Sequence, residues 1–187
     1  TVAMFYKHGI TVCISTQVGC NMSCKFCAST IGGKTRDLTA GEILGQIATV
    51  QRNLGERISN FVLMGIGEPL DNYHNVLRFL KNVNDENGMC IGYRHISLST
   101  CGLCNKIIEL AKLNLPITLS ISLHSAFDDK RTKMMPINKR HNIKELLQSC
   151  KEYQSVTGRR ISFEYALISG VNDSIIDAKT LVSKLKG

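Results

Sequence analysis

The chain has 187 residues, 43% of them hydrophobic, and only three prolines; it is long enough for one well-formed core, which excludes a disordered chain. Its longest apolar runs, such as "FVLMGIG", are far too short to span a bilayer. Lysine and arginine exceed aspartate and glutamate by eight, a balance that suits polyanionic partners such as RNA, DNA or anionic lipid, or simple solubility.

The start, "TVAMFYKHGITVC", has no basic segment followed by an apolar one, so no signal peptide is expected. Strand-like residues begin almost at once. The first predicted strand covers residues 11–17. A helix follows at 39–54, with Ile43, Ile47, Val50 and Leu54 at helical spacing and Thr39 and Glu42 in a capping-box pattern. A strand at 59–64 precedes a helix at 73–83, where Tyr73, Leu77, Leu80 and Val83 form one stripe. Strands at 95–100 and 117–124, a helix at 142–153, a strand at 161–168 and a helix at 174–185 complete the series. Each strand is rich in β-branched or aromatic residues. The last helix stops at Gly187, so both ends of the chain read as cut.

Strand–helix alternation predicts an α/β protein with a parallel sheet, either doubly wound or a barrel. Strands buried on both faces read as continuous apolar runs. Here several alternate. In "ITLSISLH" the isoleucines and leucines share one face, and Thr118, Ser120, Ser122 and His124 the other. Ser97, Ser99 and Cys101 share a face, as do Ser162, Glu164 and Ala166, and Thr11, Cys13, Ser15 and Gln17. Helices on one side and small polar residues on the other predict an incomplete β/α barrel with a polar lumen. A sheet with one solvated face gives the same alternation.

Four of the eight cysteines fall in the first 27 residues; the others stand at 90, 101, 104 and 150. Such uneven use fits an intracellular metal or cofactor site better than a disulfide framework. Cys20, Cys24 and Cys27 have C-x3-C-x2-C spacing and follow the first strand, at the end of a barrel that carries active sites. Thiolates favour zinc or iron–sulfur clusters. Three ligands on a [4Fe–4S] cluster leave one iron open to a substrate or cofactor. A zinc site that adds Cys13 is the alternative, although C-x6-C-x3-C-x2-C is unlike paired zinc-ligand spacing. After the second strand comes "MGIGEPLDN", where Gly65 and Gly67 allow close backbone approach to a ligand and Glu68 can accept from an amine.

The cysteine loop, with Phe26 before the last cysteine, resembles the cluster loop of the radical S-adenosylmethionine (SAM) superfamily. "GEPLDN" is similar to that superfamily's SAM-amine motif. Together with "RHISLSTCG", "SISLHSAFDDKRTKMMPINKR" and "GRRISFEYALISGVNDS", they resemble the RlmN/Cfr family of RNA methyltransferases over nearly the whole chain. Pro69 places the chain nearer RlmN, which acts at adenine C2, than Cfr, which acts at C8 and carries alanine there.

The resemblance implies a radical SAM catalytic core over residues 1–187, with an N-terminal RNA-binding domain and a C-terminal cysteine segment outside it. It implies that Cys20, Cys24 and Cys27 bind the [4Fe–4S] cluster. It assigns SAM contacts to Gly67, Glu68, Ser99, Ser122, Leu123 and His124. The family uses two SAM molecules. One methylates a cysteine near the C-terminus; the other yields a radical that activates this methyl group for addition to C2. Cys13 matches the second catalytic cysteine, which removes the C2 proton and resolves the adduct. The methyl-carrying cysteine is expected beyond Gly187, a SAM-contacting asparagine is also absent, and a proton-accepting glutamate would fall just before Thr1. These residues alone are therefore expected to bind cofactors without methylating RNA. Implied partners are 23S rRNA, tRNA and an electron donor such as flavodoxin or ferredoxin, for a cytoplasmic monomer with no membrane attachment.

The remaining candidates have two readings each. Cys101 stands where the family has serine, and either lines the lumen or is inert. Glu164 either reaches the lumen or is a paired structural carboxylate. Lys130, Arg131, Lys133, Lys139, Arg140 and His141 are expected on one loop, as RNA phosphate contacts or as a solvated basic face. Cys90, Cys104 and Cys150 read as structural. A different class altogether, a zinc-stabilised RNA-binding module without catalysis, fits the same cysteines.

Overall fold

A computed structural model describes residues 1–7 and 9–186. The chain opens with β1 (Val2–Tyr6) and β2 (Gly9–Cys13), then a small pair, β3 (Gln17–Val18) and β4 (Arg36–Asp37). Alternation follows with α1 (Ala40–Leu54), β5 (Asn60–Leu63), α2 (Tyr73–Asn84), β6 (Ile96–Thr100), α3 (Cys104–Lys112) and β7 (Thr118–Ser122). It ends with α4 (Asp128–Met134), α5 (Ile143–Thr157), β8 (Ile161–Glu164) and α6 (Ile175–Leu185). The main sheet has six strands in the order β1-β2-β5-β6-β7-β8. β1 is antiparallel to β2, and every other pairing is parallel. The incomplete β/α barrel expected from the alternation is thus observed, with an antiparallel strand added at its edge.

The alternation decides which face meets the helices. Val12, Phe61, Leu63, Leu98, Leu119 and Ile121 point to one side and are buried in a single core with Ile43 and Ile47 of α1, Phe79 and Leu80 of α2, Ile107 of α3 and Leu146 of α5. On the opposite face, pairing aligns Cys13, Val62, Ser97 and Thr118 in one row. Ser99, Ser120 and Ser162 make the next, and Ser122 lies beside Glu164. Three helices start with a reciprocal capping box: Thr39 with Glu42, as predicted, Asn142 with Glu145, and Ser174 with Asp177. Each such cap is worth about 1 kcal/mol.

All five predicted strands are shorter than expected, and three of them end early for the same reason: the chain must turn out of the sheet to build loops. The first stops at Cys13, although Ile14 and Thr16 still donate to the carbonyls of Val62 and Ile66. The strand expected at 117–124 stops at Ser122, because His124 adopts φ +55°, in the left-handed region. The strand expected at 161–168 stops at Glu164, whose carbonyl accepts the N–H groups of both Leu123 and His124. Helix α3 was not predicted. It is short and its first residues have no side-chain cap, so only Cys104, Ile107, Leu110 and Ala111 mark its buried face. Helix α4 lies inside the basic stretch expected to be a loop, with Asp128 and Asp129 in its first turn, where the helix dipole favours acid. Among the described residues no helix is long and apolar enough to cross a membrane.

Candidate active site

The cysteine loop is a closed excursion from the sheet. Pairing of Gln17 with Asp37 and Val18 with Arg36 fixes its base. The N–H of Cys20 reaches the carbonyl of Gly33, and Thr30 Oγ1 donates to the carbonyl of Cys27 at 2.9 Å. Gly19 has φ +76°, and a Cβ there would run into the Gly33 carbonyl, so the crossing demands glycine.

Gln17 ties this base to the loop after β5. Its Nε2 donates to Asp37 Oδ1 and to Asp71 Oδ2, each at 2.8 Å, and its Oε1 accepts the N–H of Glu68 at 2.9 Å. Lys34 Nζ bridges the same two aspartates at 3.0 and 2.7 Å. Asn72 adds a second tie, donating to the carbonyls of Thr16 and Leu38. The sequence sets Gln17 on the polar face of the first strand but gives it no partner, and Asn72, a lone amide in a loop, carries no pattern.

Gly65 and Gly67 were expected to let a ligand approach. The structure gives a further reason for them. A Cβ on Gly65 would strike the Ile14 carbonyl, and one on Gly67, at φ +106°, would strike Gln17. The two glycines let this loop pack directly on the strand-to-loop segment at 14–17.

One cavity joins these elements. Cys20, Cys24 and Cys27 line it together with Phe26, Gly65, Gly67, Glu68, Ser99, Ser122 and His124. The sequence-predicted site residues therefore converge, with two departures. Leu123 is fully buried in the core, its carbonyl holding Arg131 and its N–H bonded to Glu164, so it offers the cavity nothing directly. Cys13 shares the lumen face but belongs to a lower row and does not line the cavity. Burial raises its thiol pKa.

The fourth thiol in the cavity is Cys101. It is buried; burial, and after it the Glu68 carboxylate nearby, push its pKa well above the ordinary value. Glu68 itself accepts the Cys101 N–H at 2.8 Å and the Leu70 N–H at 3.0 Å, and burial raises its pKa. Cys24 is pushed up to about 12 by burial and by Cys20 and Cys27 beside it. Among the described residues no three donors already stand at metal-binding separation. The loop presents the thiols, and bonds to metal would gather them.

Ser99 and Ser122 donate to Oε2 of Glu164 at 3.0 and 2.9 Å, while its Oε1 is buried with no partner. Glu164 thus reaches the lumen, and an unmatched acceptor there is what a polar ligand would satisfy. His124 Nδ1 accepts the Ala166 N–H at 3.0 Å, so the neutral ring carries its proton on Nε2. Burial, and Arg131 after it, lower its pKa to about 4. Phe26 meets the His124 ring edge-on at 4.9 Å.

The basic stretch is split. Arg131 is wholly buried, and Lys130 is held by Asp177 at 2.7 Å; neither is available to RNA phosphates as the sequence led us to expect. Lys133, Lys139 and Arg140 remain exposed. Cys104 and Cys150 are buried, as expected of structural cysteines, but Cys90 is exposed.

A model of the radical SAM superfamily matches residues 14–181. The chain belongs to the radical SAM superfamily. The radical SAM fold has close counterparts of known sequence. The chain is 58% identical over 186 residues to the probable dual-specificity RNA methyltransferase RlmN of Clostridium acetobutylicum, covering 100% of this chain and 54% of that protein. It is 59% identical over 187 residues to the protein of the same name, probable dual-specificity RNA methyltransferase RlmN, of Clostridium botulinum (strain Eklund 17B), with the same coverage of 100% and 54%. The crystal structure of a radical SAM methyltransferase from Sphaerobacter thermophilus superposes with a TM-score of 0.95 at 44% identity, over 99% of this chain and 55% of that one. The radical SAM chain described here thus spans about half the length of the relatives it matches.

Proposed function

We propose that this chain is the catalytic core of an RlmN-type methyltransferase acting at C2 of an adenine in 23S rRNA and in tRNA. The observation that carries the reading is the meeting of Cys20, Cys24 and Cys27 with the Gly67–Glu68 loop and the Ser99–Ser122–Glu164 group around one cavity. That donor set fits a [4Fe–4S] cluster with a free coordination position, because three thiols and no histidine ligand come from one closed loop. When bound, such a cluster with SAM supplies a 5′-deoxyadenosyl radical.

The protein's part is to hold and shield. Cys20, Cys24 and Cys27 supply thiolates. Gly67, Glu68, Ser99, Ser122 and His124 are the proposed SAM contacts, with Leu123 acting only through the backbone that places its neighbours. A neutral His124 offers Nε2–H as a donor. Cys13 waits one row deeper on the lumen face, in the role of removing the C2 proton and resolving the RNA adduct; its raised pKa means that its deprotonation must accompany catalysis. Cys104 and Cys150 do not suit the methyl carrier, being packed in the helical layer, and Cys90 lies outside the cavity lining. These residues alone therefore bind cofactors without completing methyl transfer. Pro69 favours C2 over C8. A flavodoxin- or ferredoxin-type donor, a cytoplasmic location and a monomeric state complete the proposal.

Anaerobic reconstitution tests it. A brown protein with a cluster EPR signal, lost in Cys20→Ala and kept in Cys13→Ala, is expected. A colourless zinc protein that needs Cys13 would replace the reading by the metal-stabilised RNA-binding module. Mass-spectrometric mapping of RNA modified by the full-length enzyme should place the methyl group on C2; placement on C8 would overturn the regiochemistry.

A further inference from the structure

Arg131 heads the fully buried side chains by volume, yet it is a cation. Its Nε donates to the Leu123 carbonyl at 3.0 Å, and Nη1 to Asn138 Oδ1 at 2.9 Å. Its Nη2 donates to the carbonyls of Cys101 and Ser122 at 2.7 and 3.1 Å. All four acceptors are neutral. Among the described residues Arg131 forms no ion pair. Taking a cation out of water without a counter-ion is costly, and a structural clamp of carbonyls needs no charge.

Its neighbours point to what the charge serves. Burial is the strongest influence on Arg131, and after it come the thiols of Cys101, Cys24 and Cys104 and the Asp128 carboxylate, of which Cys24 belongs to the cysteine loop. The connection to the cysteine loop is direct. The carbonyl of Met134, at the end of α4, accepts the Lys25 N–H at 2.8 Å. Met134 and Met135 pack with Cys24 and Cys101 in a small apolar cluster. The guanidinium is therefore fixed one layer behind the loop, across apolar side chains that screen it little.

We propose that Arg131 is a positioning residue whose buried charge is the counter-charge for the cluster that Cys20, Cys24 and Cys27 hold, and that it raises the reduction potential of that cluster. The inference rests on the cluster reading above. A four-iron cluster on three thiolates is an anion, and one further electron makes it more negative, so a nearby cation favours the reduced form. The clamp on the ends of β6 and β7 keeps that charge from moving away as the electron arrives.

The test is an EPR-monitored potentiometric titration of the reconstituted full-length enzyme. In Arg131→Gln the ratio of reduced to oxidised cluster at fixed poise should fall about tenfold, ~59 mV for a one-electron couple. Arg131→Lys, which keeps the charge and loses the fork, should stay within about twofold of the wild type. The double variant Asp128→Asn, Asn138→Asp keeps total charge and the contact between those side chains, now 2.9 Å, while moving the carboxylate onto Arg131. It should lower the ratio with the arginine clamp intact, and it decides the matter with Arg131→Lys if Arg131→Gln takes up no iron. A potential unchanged in Arg131→Gln or in the double variant, or equal shifts in the glutamine and lysine variants, would overturn the proposal. A wild type that takes up no iron would instead remove the cluster reading.

Discussion

Ser99 and Glu164 come from strands separated by β7, yet the serine hydroxyl donates to the carboxylate at 3.0 Å across the lumen. Ser122 donates to the same oxygen, which leaves Oε1 without a partner. The serines thus fix the carboxylate and leave acceptor capacity for a ligand. Glu164→Gln replaces that capacity with an amide while keeping shape. We expect S-adenosylhomocysteine to bind the loaded full-length enzyme about tenfold more weakly in the variant, the usual scale of one hydrogen bond to a charged group. Calorimetric affinities within twofold of each other would show that the ligand does not use Glu164.

Cys101 and Cys13 separate two views of the fourth thiol. Proximity in sequence favours Cys13, whereas the cavity brings in Cys101. It follows β6, however, outside the closed loop that carries Cys20, Cys24 and Cys27, and its backbone N–H is already held by Glu68. Cys101→Ser is therefore expected to retain full iron content and visible absorbance, as is Cys13→Ala. Loss of iron in Cys101→Ser would make it a fourth ligand and close the open position.

The barrel and the site loops were legible because their signals are local. Period-two alternation in "ITLSISLH" gave both faces of β7, and Thr39 with Glu42 marked the start of α1. The cysteine spacing marked a loop that the structure does place on the cavity. What failed depends on contacts distant in sequence. Arg131 reads as a surface charge within "DDKRTK", and only the arrival of carbonyls from β6 and β7 turns it into a core residue. Gln17 reads as a polar strand end until Asp37 and Asp71 are brought to it. Leu123 is a different case: the resemblance grouped it with Ser122 and His124, but alternation along the strand already sets it on the apolar face, where it is buried.

Gln17 offers a test of the loop anchor. Its amide donates to two carboxylates and its oxygen accepts the Glu68 N–H. Gln17→Glu removes both donations and places a third carboxylate beside Asp37 and Asp71, with only Lys34 to offset them. We expect a loss on the order of 2 kcal/mol at neutral pH, from unmade hydrogen bonds and like-charge repulsion. Part of it should return as pH falls and a carboxylate takes up a proton. Urea midpoints for both proteins at about pH 7 and pH 5 measure this; a gap that widens on acidification would refute the repulsion.

His124 should leave its own mark on the pH dependence of stability. In the folded protein burial and Arg131 hold its pKa at about 4, against about 6.5 in an unfolded chain. Above about pH 6.5 neither state binds the proton, and the contribution is fully present. As pH falls from there towards 4 the unfolded chain binds the proton first, so stability is lost. Between about pH 7.5 and pH 4.5 the loss should be on the order of 2 kcal/mol. His124→Asn is the control, since asparagine tolerates the left-handed backbone and can accept the Ala166 N–H. The wild type should lose that much more stability than the variant over the same range. Parallel curves would mean that His124 takes up its proton in the folded protein as readily as in the unfolded chain, and below about pH 6.5 the cavity would then present a cation where a neutral N–H donor is expected.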